Sequence, residues 1–226
     1  KFLNLRGDQR TGAKFAAKAS RVLAYYARLI RYAAIAKPKV FHILWNNKFQ
    51  VLDRTLLMLY YKLNGKKIVL TAHNVNAGKR DSNDSWLNRL TLKIQYRLAD
   101  HIFVHTEQMK KELLDDFGVR EAAATVIPFG INNSVPDTNL TAGEAKRRLG
   151  LRSGEKAILF FGNIRPYKGL EYLVEAFGQF GSHQEYRLVI AGEPKAGCDS
   201  YMEEIQQAIA RSGLGDRIMS KIEYIP

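Results

Sequence analysis

The residues best equipped for chemistry stand together in Phe160-Phe-Gly-Asn-Ile-Arg-Pro-Tyr-Lys-Gly-Leu170. An apolar run ends at Gly162, where the missing Cβ lets a ligand approach the backbone. Arg165 and Lys168 follow in a loop, and the pattern predicts a helix from about Gly169. A helix N-terminus offers unpaired N–H groups and a partial positive charge, which favour phosphate. Arginine adds a flat fork suited to two parallel phosphate contacts, and lysine adds a point charge. Such groups can neutralise a departing diphosphate electrostatically, so no metal and no other cofactor is expected. The chain has neither Gly-x4-Gly-Lys-Ser/Thr nor Gly-x-Gly-x-x-Gly, which argues against a P-loop NTPase and an ordinary dinucleotide enzyme.

Other polar residues collect where apolar runs end. Trp45-Asn46-Asn47, His73-Asn74 and Thr106-Glu107 do so in the first half, Gly162-Asn163 and Gly192-Glu193 in the second. Ligands of open parallel sheets bind beyond the carboxyl ends of the strands. Any one of these sites also reads as turn chemistry; five in succession favour a ligand. His42, inside an apolar run, reads as a hydrogen-bonded core residue. His101, His105 and His183 receive no role from sequence alone.

Strands alternating with helices must position these groups. A helix over 14–36 is followed by a buried strand over 39–44 and a helix from about Val51 to Asn64. Then come strand 68–72, a polar loop over 73–84, and a helix from about Ser85, its candidate N-cap, to Ala99. Strand 102–106, a helix to Phe117 and strand 125–129 complete the first half. Loop formers between Gly130 and Thr141 mark a boundary. Beyond it the pattern gives helix 142–149, strand 157–161, helix 169–180, strand 186–191, helix 200–212 and strand 217–224. The predicted fold class is α/β, with two Rossmann-like parallel-sheet domains covered on both faces. The divisions are 1–130, a linker at 131–141, and 142–226. Three strands alone leave exposed edges, so the second domain reads as incomplete.

Composition agrees with a folded protein. Of 226 residues, 46% are hydrophobic and 25% charged. The single Cys198 cannot pair within the chain, so a reducing cytoplasmic location is expected. The net charge of +13 is uneven: residues 1–50 carry 11 basic side chains against Asp8 alone. Lys14, Lys18, Arg21, Arg28 and Arg31 recur on one face of helix 14–36, opposite Phe15, Ala19, Val22, Tyr26, Leu29 and Ala33. That face is open to three readings: a solvated surface, an anionic membrane surface contacted from the cytoplasmic side, or nucleic acid. No nucleic-acid motif supports the last, and no nucleic-acid partner is expected.

From the strand around Val40 onward the chain resembles the retaining glycosyltransferases of family 4, which have the two-Rossmann GT-B architecture. Thr71-Ala-His-Asn-Val75, Ala99-Asp-His-Ile-Phe-Val-His-Thr106, Val126-Ile-Pro-Phe-Gly-Ile-Asn132 and the Gly-x-Ile-Arg-x-Tyr-Lys-Gly loop carry the resemblance. It implies a hexosyltransferase that moves a sugar from a nucleoside-diphosphate sugar to an acceptor hydroxyl with retention. The acceptor would be a glycan or a lipid-linked glycan. Gly162, Asn163, Arg165, Lys168, Gly192 and Glu193 become donor-binding candidates and His73 the catalytic candidate. Asn74 and Lys79 fall on the acceptor side. Asn163 stands where many relatives have arginine, which leaves open a non-catalytic nucleotide-sugar or polyanion-binding protein with a degenerate site. For His73, a packed loop histidine is the rival reading. The resemblance also implies a glycine-rich loop, expected upstream of Lys1, and a Glu-x7-Glu motif, expected beyond the strand ending near Pro226. Glu185 and Glu193 have that spacing, but the apolar strand 188–191 runs between them and the pair reads as coincidence. The chain therefore reads as truncated at both ends, with both domains incomplete and this piece alone inactive.

Overall fold

The computed structural model describes residues 4–5, 15–47, 49–130, 139–180 and 183–225. Lys14, the side chain of Phe15, residues 131–138 of the expected linker and the motif residues Ile131 and Asn132 lie outside that description. The chain divides into two compact units, Lys1–Ile131 and Asn132–Pro226.

In the first unit α1 (Phe15–Ile35) leads to β1 (Val40–Ile43). Then α2 (Gln50–Leu52) passes through a π-helical turn, Asp53–Leu57, into α3 (Met58–Leu63). Next come β2 (Lys67–Thr71), α4 (Ala77–Arg80), α5 (Trp86–Leu98), β3 (His101–Val104), α6 (Glu107–Phe117) and β4 (Ala124–Val126). The strands are parallel in the order β1-β2-β3-β4. Helix starts follow side-chain capping: Ser85 Oγ accepts from Asn88 N–H, and Thr106 Oγ1 accepts from Met109 N–H. Gly118, at φ 66°, closes α6 in the left-handed region. Asp100 clips the sheet to α3, its Oδ2 accepting from Lys62 Nζ at 2.7 Å and from Ile68 N–H at 2.8 Å.

The first sheet buries one face. Ile68, Leu70, Ile102 and Val104 are buried against Met58, Leu92, Tyr96 and Leu113, while His42, Val69, His101 and Phe103 alternate onto the other side. For this sheet the expected cover on both faces is thus corrected, and β1 is a half-exposed edge strand rather than a buried one. His42 is exposed, although Thr71 Oγ1 lies 2.8 Å from its Nε2. The stretch expected as polar loop 73–84 contains α4, because the Asn76 side chain accepts from Lys79 N–H and caps it.

In the second unit α7 (Ala142–Arg148) opens with a reciprocal Thr141–Glu144 cap. It is followed by β5 (Lys156–Phe161), a 3-10 turn at Pro166–Lys168, α8 (Leu170–Gln179), β6 (Tyr186–Ala191), α9 (Asp199–Ser212) and β7 (Ile218–Lys221). The strands are parallel in the order β5-β6-β7. Central β6 carries Leu188 and Ile190, fully buried with Ile164, Leu170, Val174, Phe177 and Ile205 from the loop and helices. Each unit therefore holds a sheet packed on its own apolar core.

Arg217 ties the lower end of this core together. It is buried, with Nη2 2.6 Å from the carbonyl of His183, Nε 3.3 Å from that of Tyr186, and its guanidinium 5.0 Å from the Phe177 ring. Replacing it by alanine removes the charged donor to the His183 and Phe180 carbonyls and the contact with the Phe177 ring, so Arg217→Ala is predicted to cost about 2–3 kcal/mol in urea unfolding. A loss below about 0.5 kcal/mol would show that the tie is not structural.

Candidate active site

The first unit gathers aromatic rings along the carboxyl edge of its sheet. Parallel register pairs Thr71 with Phe103 and Val104 with Val126. Carried past the strand ends, it sets His73 beside His105 and His105 beside Ile127. The geometry agrees: His105 Nε2 lies 2.9 Å from His73 Nδ1, and His105 Nδ1 lies 3.0 Å from the Ile127 carbonyl oxygen. Trp45, from the end of β1, stacks on His73 with centroids 4.3 Å apart, and Phe129, beyond β4, stacks on His105 at 3.7 Å. Four rings thus run across four strand ends, and the outer two are about two-thirds exposed (Trp45 68%, Phe129 69%). Burial, and then the neighbouring His105, push the His73 pKa below its ordinary value. That shift favours the uncharged ring, which exchanges hydrogen bonds through both nitrogens.

The two acceptor-side candidates are held differently. Asn74 is exposed, and its Oδ1 accepts from Arg80 Nη1 at 3.3 Å. Lys79 pairs with Asp116 of α6 at 3.6 Å. The segment after His73 is anchored from below. Tyr96 Oη donates to the Val75 carbonyl at 2.5 Å, and Asn88 Nδ2 donates to Asn76 Oδ1 at 2.9 Å. Asn46, flagged as a strand-end residue, exchanges two hydrogen bonds with the buried Gln95 amide. Thr106 serves as a helix cap. Trp45 stood in the sequence as a strand-end residue, whereas His105 and Phe129 stood within the motifs that carry the resemblance and were given no role. His105 lies as far past β3 as His73 lies past β2, which the register of the two strands would have revealed.

In the second unit, parallel pairing also continues past the strands. Gly162 N–H donates to the Ala191 carbonyl at 3.0 Å, Ile164 N–H to that of Glu193 at 2.9 Å, and Ile164 bridges Pro194. The chains approach so closely that a Cβ on Gly192 would sit 2.0 Å from Gly162 O. Above Gly162 itself the space is open, with nothing within 4 Å of where a Cβ would stand. Between this brace and α8 the chain makes the 3-10 turn, in which Lys168 N–H donates to the Arg165 carbonyl and Gly169 N–H to that of Pro166, each at 2.9 Å. The helix begins one residue after the expected Gly169, which is its N-cap at φ 68°. The first bond into α8 runs from Leu173 N–H to Gly169 O, so the amides of Leu170, Glu171 and Tyr172 precede it.

Arg165 is half-buried, whereas Asn163 and Lys168 are exposed. Among the described residues neither Arg165 nor Lys168 has an ion-pair partner. Glu193 faces Lys195 at 3.6 Å. The Glu171 carboxylate, in the first turn of α8, is engaged by Tyr201 Oη. Among the described residues no group of three or more His, Cys, Asp or Glu side chains is placed to hold a metal ion.

Residues 6–135 match the family model described as Glycosyltransferase Family 4, and residues 142–219 that described as Glycosyl transferases group 1. Among curated relatives, the D-inositol 3-phosphate glycosyltransferase of Acidothermus cellulolyticus is 29% identical over 126 residues, 54% of this chain and 28% of its own. The lipopolysaccharide core biosynthesis mannosyltransferase LpsB of Rhizobium meliloti is 28% identical over 96 residues, 42% of this chain and 27% of its own. Among solved structures, Anabaena HepE in complex with UDP and glucose superposes with a TM-score of 0.70 at 17% identity, covering 89% of this chain and 52% of that one. Sucrose-phosphate synthase from Thermosynechococcus elongatus gives 0.69 at 17%, covering 94% and 52%. The chain thus spans roughly a quarter of the length of these curated relatives and about half that of the solved structures. The matches run over almost all of the present chain and take in both parallel sheets. The expectation of a fragment truncated at both ends, with two incomplete domains, is corrected by that coverage.

The Gly162–Gly192 contact supplies a direct test of how the loop is held. Gly192→Ala must push two backbones apart, whereas Gly162→Ala meets open space and only the strain of its φ of 115°. Strain of that kind costs about 1–3 kcal/mol. Gly192→Ala is predicted to lower the urea midpoint clearly more than Gly162→Ala; equal losses would contradict the brace.

Proposed function

The chain belongs to glycosyltransferase family 4, and from that premise we propose that it moves a sugar from a nucleoside-diphosphate sugar to an acceptor hydroxyl. The observation carrying this reading is the braced loop beyond β5, which presents Arg165 and Lys168 with an open backbone at Gly162. The diphosphate lies over Gly162 and Asn163 and against the first amides of α8, with Arg165 and Lys168 spreading its charge. Gly192 keeps the loop in place, and Glu193 stands at the sugar-nucleotide side. The bond from the anomeric carbon to the diphosphate oxygen breaks and a bond to the acceptor oxygen forms. The acceptor proton leaves with the diphosphate. Retention of anomeric configuration follows the family.

In this reading the second unit, from about residue 142, takes the donor, and the first unit, to about residue 130, meets the acceptor. His73 touches the transferred sugar or the incoming hydroxyl, and Asn74 and Lys79 line the acceptor side. The acceptor is a glycan or a lipid-linked glycan, a reading supported by the likeness to the Rhizobium mannosyltransferase of lipopolysaccharide core biosynthesis. An anionic membrane surface is the proposed second contact, made from the cytoplasmic side through α1. Lys18, Arg28 and Arg31 are exposed there together with Leu23, Ile30 and Ile35, while Tyr26 and Ala33 are buried on the core. No helix among the described residues is long and apolar enough to cross a membrane.

Calorimetric titration with UDP, GDP and ADP tests the donor site. One of the three is predicted to bind, and Lys168→Ala to weaken it about ten- to a hundred-fold, as for loss of a charged hydrogen bond. Binding of none of them, or unchanged affinity in the variant, would count against the transferase. For the membrane contact, co-sedimentation with phosphatidylglycerol vesicles is predicted to exceed that with phosphatidylcholine and to fall when Lys18, Arg28 and Arg31 become glutamate. Equal binding to both vesicle types would end that proposal.

A further inference from the structure

We propose that His105 is a positioning residue that fixes the tautomer of His73, holding the His73 proton on Nδ1 and leaving Nε2 bare as a hydrogen-bond acceptor. The inference rests on the reading of His73 as an active-site residue. It is carried by a chain of three groups whose donor and acceptor roles leave one arrangement for two neutral rings.

The chain starts at a backbone carbonyl, which can only accept. The Ile127 oxygen lies 3.0 Å from His105 Nδ1, so that nitrogen carries the hydrogen. A neutral His105 then has a bare Nε2. His73 Nδ1, 2.9 Å away, donates to it, and this leaves the Nε2 of His73 without a proton. A free neutral histidine favours the opposite tautomer, with its proton on Nε2. The sheet therefore imposes a form that the isolated side chain does not prefer.

The imposed form decides which partner His73 accepts. A bare Nε2 takes a hydrogen bond from a sugar or acceptor hydroxyl; an N–H there would call for an oxygen acceptor instead. Aromatic rings keep the pair in register, Trp45 from the end of β1 on His73 and Phe129 from beyond β4 on His105. On the α4 side Arg80 reaches Asn74, the residue after His73, and also pairs with Asp81. A proton added to His105 would reverse the chain. Its Nε2 would donate to His73 Nδ1, and His73 would turn from acceptor to donor.

The test is a long-range 1H–15N correlation spectrum of the 15N-histidine-labelled chain near neutral pH, with assignments from single substitutions. Both His73 and His105 are predicted to show the Nδ1–H pattern. In His105→Phe, which keeps a ring between His73 and Phe129 but has no nitrogen, His73 is predicted to shift to the Nε2–H pattern. His105→Gln, whose amide can donate to Ile127 O and accept from His73, is predicted to restore Nδ1–H. An Nε2–H pattern for His73 in the unaltered chain overturns the inference, and so does an unshifted His73 in His105→Phe. The unaltered chain alone is decisive should a variant fail to fold. Nucleoside-diphosphate titration of the same sample separates the two readings: absence of binding speaks against the transferase, while the tautomer pattern speaks only to His105.

Discussion

Parallel pairing carried past the carboxyl ends of the strands is the constraint on which both candidate edges depend. In a parallel sheet every strand points the same way, so whatever follows one strand is laid beside whatever follows its neighbour. In the second unit this continuation brings two backbones within a Cβ radius, and only glycine at 192 permits it. In the first it sets two histidines and a carbonyl at hydrogen-bond distance, with an aromatic ring at each end. Neither arrangement comes from the loops themselves. Each is read out from the register of the sheet below.

The two edges solve different electrostatic problems. The loop beyond β5 assembles positive charge from Arg165, Lys168 and the first amides of α8, and leaves the backbone open at Gly162. That combination suits a group whose negative charge grows as it departs. The edge beyond β2 and β3 presents stacked rings instead. There burial lowers the His73 pKa and Trp45 stacks on the ring, which suits contact with hydroxyls and the apolar faces of a sugar ring. Stacked ring pairs of this kind contribute about 0.5–1.5 kcal/mol each beyond area burial, enough to hold side chains still at a solvent-facing edge.

Much of the frame was legible in the sequence because it rests on local chemistry. Apolar runs such as Tyr186–Ala191 became strands with their predicted bounds, Ser85 capped α5, and Gly118 closed α6. What the sequence hid depends on neighbours. Residues 73–84 read as loop by composition, yet Asn76 caps a helix there and Asn88 holds it from another element. Thr106 looked like a ligand-facing residue and proved to be a cap. His42 was expected in the core, but its strand lies at the edge of the described sheet, where alternate side chains are exposed. The supposed incompleteness of the second domain came from counting strands; it is corrected by matches that run over both sheets, which no strand count could supply.

The claim on which the functional account turns is that the Gly162–Leu170 loop receives phosphate rather than base or sugar. Hydrogen–deuterium exchange measures this at the amides concerned. The account predicts that a bound nucleoside diphosphate slows exchange across residues 162–172, and that the matching nucleoside, lacking phosphates, leaves it unchanged. Protection by the nucleoside alone, or diphosphate protection confined to other segments, would contradict it.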